Sequence, residues 1–206
     1  MDKSIETKAY KRIIGSGRGW AFSPQDFARL GPRSSVDFAL HRLHRRGVIR
    51  RVIRGIYDFP PSSELLGRQL GPDLDQVAQA LARKFGWRIQ PSGVAAQNIL
   101  GLSTQVPSKV VYLSDGPNRR YAIGKTTLEF KHTALKETGF KLRESSIIVH
   151  ALKSLGQDGI TPDVLAKVRS WLSPELRSRV LADTQTATGW VYAALREICR
   201  ERMPSE

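Results

Sequence analysis

Ser23-Pro24-Gln25-Asp26-Phe27-Ala28-Arg29-Leu30-Gly31-Pro32-Arg33-Ser34-Ser35-Val36-Asp37-Phe38-Ala39-Leu40-His41-Arg42-Leu43-His44-Arg45-Arg46-Gly47-Val48-Ile49-Arg50-Arg51-Val52-Ile53-Arg54-Gly55-Ile56-Tyr57 decides how this chain is read. Ser23 suits a helix N-cap, Pro24 the first turn, and Asp26 lies three residues past the cap. This predicts a short helix carrying Phe27 and Leu30. It ends at Gly31, which tolerates a left-handed cap, and at Pro32, which does not continue a helix. A second helix follows at once, with Ser34 as its cap and Asp37 completing a weak capping box. At about 100° per residue, Val36, Ala39, Leu40 and Leu43 share one face. Ser34, Phe38, His41, Arg42 and Arg45 share the other, and Gly47 closes the helix.

Two helices joined by a tight glycine turn predict a helix-turn-helix, whose second helix enters the DNA major groove. Val48 to Ile53 then reads as a strand, Arg54-Gly55 as a turn, and Ile56 to Phe59 as the return strand before Pro60-Pro61. A hairpin directly after such a helix is a wing. Phe38 is the odd residue, large and apolar on the outward face. Two roles are open to it: contact with a thymine methyl, or packing under the wing or against the first helix.

Charge points the same way. The chain has 206 residues and a formal net charge of +14. Residues 1–72 hold 14 Lys+Arg against 6 Asp+Glu, an excess of +8 in about a third of the length. From Arg33 to Arg54 there are seven arginines, no lysine and one acid, Asp37. Such a surface attracts polyanions: nucleic acid first, an anionic membrane surface second. The planar guanidinium fork also suits bidentate contact to phosphate or guanine.

Working outward, Ile5, Ala9 and Ile13, with Tyr10 and Ile14, predict an N-terminal helix stopping near Gly15-Ser16-Gly17. The glycine-rich Gly15-Ser16-Gly17-Arg18-Gly19 lacks a following Gly-Lys-Ser/Thr, so it is not a P-loop. It reads as a connection from which Arg18 reaches DNA backbone. Residues 61–72 read as a linker whose apolar Leu65-Leu66 packs on a domain. Residues 73–206 read as a second domain, mostly helical around a small antiparallel sheet. A helix over Asp73 to Phe85 carries a Leu74, Val77, Ala78, Leu81 and Phe85 stripe. Strands are expected at Trp87 to Gln90, Lys109 to Ser114, Arg119 to Ile123 and Leu128 to His132, with further helices after Ser92, around Ile148 to Leu155, after Thr161 and Ser173, and over Trp190 to Arg200. The fold class is α+β: a winged helix-turn-helix over residues 1–60, then this second domain.

No catalytic pattern holds. Nucleotidyltransferases carry Gly-Ser followed by paired aspartates, but here Gly15-Ser16 is followed by Asp26 and Ala28. There is no Gly-x-Ser-x-Gly elbow, and His132 and His150 have no obvious nucleophile partner. Asp115 falls in an Asp-Gly-Pro-Asn turn. His41 and His44 lack the further ligands a metal site needs. Cys199 is the only cysteine, so no internal disulfide forms, and it reads as a packing residue. No apolar run approaches a membrane span. Met1-Asp2-Lys3-Ser4 carries no signal-peptide core, and a cytoplasmic location is expected. The expectation is a DNA-binding protein that is not an enzyme and needs no cofactor or metal.

Phe22 to Phe27, Val36 to Arg54, Gly55-Ile56-Tyr57 and the segment Pro91-Ser92-Gly93-Val94-Ala95-Ala96-Gln97-Asn98-Ile99-Leu100-Gly101-Leu102-Ser103-Thr104-Gln105-Val106-Pro107 together resemble the AbiEi-type antitoxins of type IV toxin–antitoxin systems. The resemblance covers most of residues 1–135. It implies a winged helix that binds promoter repeats of its own operon and represses it. It also implies a C-terminal domain that antagonises a nucleotidyltransferase-like toxin, with no stable complex required. The family's DNA-contact positions fall on Arg33, Ser34, Ser35, His41, Arg42, Arg45 and Arg46, and on Arg50, Arg51 and Arg54 of the wing. Two other readings remain open: a stand-alone regulator whose C-terminal domain senses a ligand or partner, and an enzyme acting on nucleic acid.

Overall fold

The computed structural model describes residues 4–65, 67–103, 107–133 and 140–200. Leu66 and the Thr104-Gln105-Val106 part of the motif segment lie outside these. The fold is mixed α+β. In chain order its first elements are α1 (Ile5–Gly15), β1 (Ala21–Phe22), a 3-10 helix (Pro24–Leu30), α2 (Arg33–Arg45), β2 (Arg50–Ile53) and β3 (Ile56–Asp58). Then come β4 (Ser62–Ser63), β5 (Arg68–Gln69), α3 (Leu74–Phe85), β6 (Ile89–Pro91), α4 (Gly93–Ile99), β7 (Lys109–Ser114), β8 (Arg119–Ile123) and β9 (Thr126–His132). The last are α5 (Arg143–Leu155), a short 3-10 turn (Gln157–Gly159), α6 (Pro162–Trp171), α7 (Pro174–Asp183) and α8 (Gly189–Cys199). No helix among the described residues is long and apolar enough to cross a membrane.

The chain divides into two compact units, residues 1–89 with 120–128, and residues 90–119 with 129–206. The first unit extends past the expected linker. α3 packs on β1, β3 and the 3-10 helix, burying Val77, Ala78 and Leu81. Arg83 ties it there, donating to the Asp26 carboxylate at 2.7 Å and to the Ala21 carbonyl at 2.8 Å. The amphipathic helix assigned to the second domain thus finds its apolar partner in the N-terminal unit. Phe85, expected on its buried stripe, is exposed and stacks on Trp87 at 4.7 Å. Residues 61–72 are not an apolar connector either: β4 and β5 form an antiparallel hairpin, and Leu65 is 95% exposed.

The core of the first unit is built from Ala9, Ile13, Phe22, Phe27, Val36, Leu40, Leu43 and Ile49. Phe22 and Phe27 meet edge to face at 5.3 Å, and Trp20 packs on Phe22 at 4.7 Å. The sheet order here is β1-β3-β2. Both pairings are antiparallel, with Phe22 opposite Tyr57 and Arg50 opposite Asp58. The capping box of Ser23 and Asp26 forms as expected, but the segment it starts winds as a 3-10 helix. α2 begins at Arg33, one residue before its expected cap. Pro32 is the N-cap with no side-chain bond, and Asp37 pairs with Arg33 instead of closing a capping box.

β6, β7, β9 and β8 lie in that order in a four-stranded sheet. The core of the second unit gathers α4, α5, α6, α7 and α8 around Ala96, Ile147, Ile148, Ala151, Leu152, Val168, Val180, Val191, Leu195 and Ile198. Cys199 sits in this core, and burial pushes its thiol up against the opposing pull of Arg177 and Arg169. α4 and α5 cross closely at Gly93. A β-carbon there would collide with the Ser154 side chain and approach the His150 carbonyl oxygen to 3.2 Å. Gly93→Ala is therefore expected to lower stability by about 1–3 kcal/mol, read from the urea midpoint.

Asp183, at the end of α7, accepts from the backbone N–H groups of Lys141 and Leu142 at 2.8 and 2.9 Å. Burial works to raise its pKa, but these hydrogen bonds and the Lys141 charge outweigh burial and hold it below the ordinary carboxylate value. A depressed carboxylate stabilises the fold above its unfolded-state pKa, and that contribution is lost as pH falls through the folded-state value. Urea unfolding across the acid range should show this limb, and Asp183→Asn should remove its share of the slope.

Candidate nucleic-acid interface

α2 presents the face the sequence predicts. Val36, Ala39, Leu40 and Leu43 are buried, and Ser34, Ser35, Phe38, His41, Arg42 and Arg45 are exposed. Phe38 is 57% exposed and is not among the side chains that build the first unit's core. The Arg42 guanidinium lies over its ring, 4.4 Å from the centroid, so ring and cation form one platform. With Pro32 as N-cap, no side chain satisfies the first backbone N–H groups of α2.

The arginines divide according to the acids near them. Arg33 meets both oxygens of Asp37 at 2.9 and 3.0 Å, with both side chains exposed. Arg42 reaches Glu6 of α1 at 3.5 Å, and Arg46 also pairs with Glu6. Exposed pairs of this kind are worth about 1 kcal/mol or less, so a phosphate can displace them. Arg45, Arg51 and Arg54 pair with no acid among the described residues.

Two expected contact residues are held elsewhere. Arg50 donates to both oxygens of the fully buried Asp58, at 3.1 and 2.5 Å, and to the Leu70 carbonyl at 2.8 Å. Adjacent strand residues point to opposite faces, so Arg50 turns inward while Arg51 is exposed. Arg18 stacks over Phe59 at 4.8 Å and donates to the Pro60 carbonyl at 2.9 Å. Both fasten the hairpin.

A further cation comes from α3. Gly55, at the hairpin turn, has φ +77°, and a β-carbon there would lie 2.8 Å from the Lys84 ammonium. Burial first, then the charges of Arg33 and Arg54, hold the Lys84 pKa below its ordinary value. Nothing in the sequence around Lys84 signalled this. It depends on α3 folding back onto the hairpin.

Two further histidines hydrogen-bond locally. His132 Nδ1 is 3.0 Å from the Gly116 carbonyl, and its backbone N–H donates to Asn118 Oδ1 at 2.7 Å, so it closes the Asp115-Gly116-Pro117-Asn118 turn. His44 Nδ1 is 3.2 Å from the Ile49 carbonyl. His150 is partly buried, and its pKa is lowered by burial first and then by Lys153.

Residues 8–180 match a family of unknown function, DUF6088. The chain belongs to that family. No curated protein matches it. Among solved structures it is similar to the RV2827C protein of Mycobacterium tuberculosis, at 13% identity and a TM-score of 0.36. That alignment covers 93% of this chain and 76% of the other.

The division of the arginines is testable by stability alone. Arg50→Met leaves the buried Asp58 carboxylate unpaired and should cost about 3–5 kcal/mol. Arg51→Met, one residue on, should stay within about 0.5 kcal/mol. Denaturant titration of both variants checks this, and equal effects would show that Arg50 is not the hairpin's fastener.

Proposed function

We propose that the N-terminal unit is a winged helix-turn-helix that binds double-stranded DNA, with α2 in the major groove and the β2–β3 hairpin as the wing. One observation carries this reading. The exposed face of α2 and the hairpin after it hold Arg33, Arg42, Arg45, Arg46, Arg51 and Arg54, and the acids beside them are few and exchangeable. The order helix, strand, short helix, helix, hairpin, with β1 paired to β3, also supports it. Ser34, Ser35, Phe38 and His41 lie on the same face as the arginines and supply groups that read base edges.

The fuller reading is an antitoxin of a type IV toxin–antitoxin system. It represses its own operon and antagonises a nucleotidyltransferase-like toxin through the C-terminal residues. This part rests on the resemblance carried by Phe22 to Phe27, Val36 to Tyr57 and Pro91 to Pro107. Co-expression with a neighbouring nucleotidyltransferase-like protein tests it, with rescue of growth as the expected result. Failure of rescue with DNA binding intact would leave a stand-alone regulator.

A footprint on the DNA upstream of its own gene tests the DNA reading directly. Five arginine–phosphate contacts, with Arg45 left to read a base, give a salt slope of about −4.5, so affinity should fall about 500-fold between 50 and 200 mM salt. Arg45→Ala should relax sequence preference at a cost of about 1–3 kcal/mol. Arg54→Ala should weaken all sequences alike. Absent or salt-independent binding would refute the reading.

A further inference from the structure

We propose that Lys84, Arg54 and Arg33 form a phosphate-binding site at the hairpin turn, with the ammonium of α3 closing on the same phosphate group as the Arg54 guanidinium. Lys84 comes from α3, Arg54 from the β2–β3 turn and Arg33 from the first turn of α2. The approach of Lys84 to the turn is built into the backbone. Gly55 at φ +77° leaves the space that the end of Lys84 occupies, 2.8 Å from Nζ and 3.8 Å from Cε to where a β-carbon would stand.

The cluster is one-sided. Among the described residues no carboxylate pairs with Lys84 or Arg54, and the only acid on Arg33 is the exposed Asp37. Like charges held together and partly desolvated raise the free energy of the unliganded protein. An anion seated among them relieves both the repulsion and the lost hydration. A phosphate group fits because its non-bridging oxygens accept from a guanidinium fork and an ammonium at once. Lys84 also passes beside the Phe85 ring at 5.1 Å, which limits where its ammonium swings.

The site takes its phosphate from a duplex backbone only if the DNA reading holds; free phosphate offers the same chemistry. Two arms separate these sources. The first compares duplex binding by wild type, Lys84→Met, which keeps the aliphatic stem, and Lys84→Arg, which keeps the charge. Lys84→Met should flatten the salt slope by about 0.9, or roughly eightfold in affinity near 0.1 M salt, equally for operator and unrelated sequences. Lys84→Arg should behave as wild type.

The second arm follows the Lys84 Cε–H NMR signal, assigned by its loss in Lys84→Met, during separate titrations with inorganic phosphate and with duplex. Movement with both is expected. A Lys84 signal moved by neither overturns the site, even if duplex binds with a wild-type slope in Lys84→Met; the DNA reading then survives alone. A signal moved by inorganic phosphate in a protein that binds no duplex upholds the anion site and overturns the DNA reading.

Discussion

Burial of one stripe of α2 fixes everything the basic face does. Val36, Ala39, Leu40 and Leu43 are each no more than 4% exposed, and Val36, Leu40 and Leu43 pack with Ala9 and Ile13 of α1, the aromatic pair Phe22 and Phe27, and Ile49. Each large side chain so buried contributes about 1.5–3 kcal/mol. Rotating α2 to hide any of its arginines would forfeit several of these together. With side chains about 100° apart, the stripe leaves Ser34, Phe38, His41, Arg42 and Arg45 no direction but outward. The basic face is thus a by-product of packing, and the helix needs no acid on it to hold its place.

What differs between the arginines is the burial of their acids. The Asp58 side chain is 0% exposed, Glu6 is 20% and Asp37 is 49%. A buried carboxylate without a partner is costly, so Asp58 commits Arg50. Glu6 and Asp37 are partly or largely hydrated, and their attraction for arginine is a small difference between solvation and Coulomb terms. They orient Arg42, Arg46 and Arg33 without retaining them. A run of seven arginines therefore resolves into one that builds the hairpin, three that are steered, and three, Arg45, Arg51 and Arg54, that meet no acid among the described residues.

Most of this face was legible in the sequence because its cause is local. Helical period marked the α2 stripe, and the Lys109–Ser114 and Arg119–Ile123 strands agree with expectation residue for residue. Alternation along β2 separates Arg50 from Arg51, but which of them is free depends on Asp58, and Asp58 faces Arg50 only through the hairpin register. The early start of α2 was hidden because Pro32, which reads as a stop to the preceding helix, is itself the N-cap of the next and leaves Ser34 inside the first turn. Two-residue strands such as β1 carry no periodicity at all. The helix of residues 74–85 announced an apolar face but not its partner, so neither the extent of the first unit nor the place of Lys84 was visible.

That partner choice has an electrostatic consequence. α3 packs on the N-terminal unit through small and branched residues, Val77, Ala78 and Leu81, and by doing so carries Arg83 and Lys84 toward a segment already rich in positive charge. Arg83 pairs with Asp26; Lys84 lies over the hairpin turn at Gly55. Hydrophobic burial is non-directional and large, and it outweighs the repulsion between partly solvated charges. The apolar face of α3 therefore holds Lys84 at the hairpin turn, beside Gly55, where charge alone would not place it. Any anion that binds the folded unit and not the unfolded chain recovers that repulsion as stability.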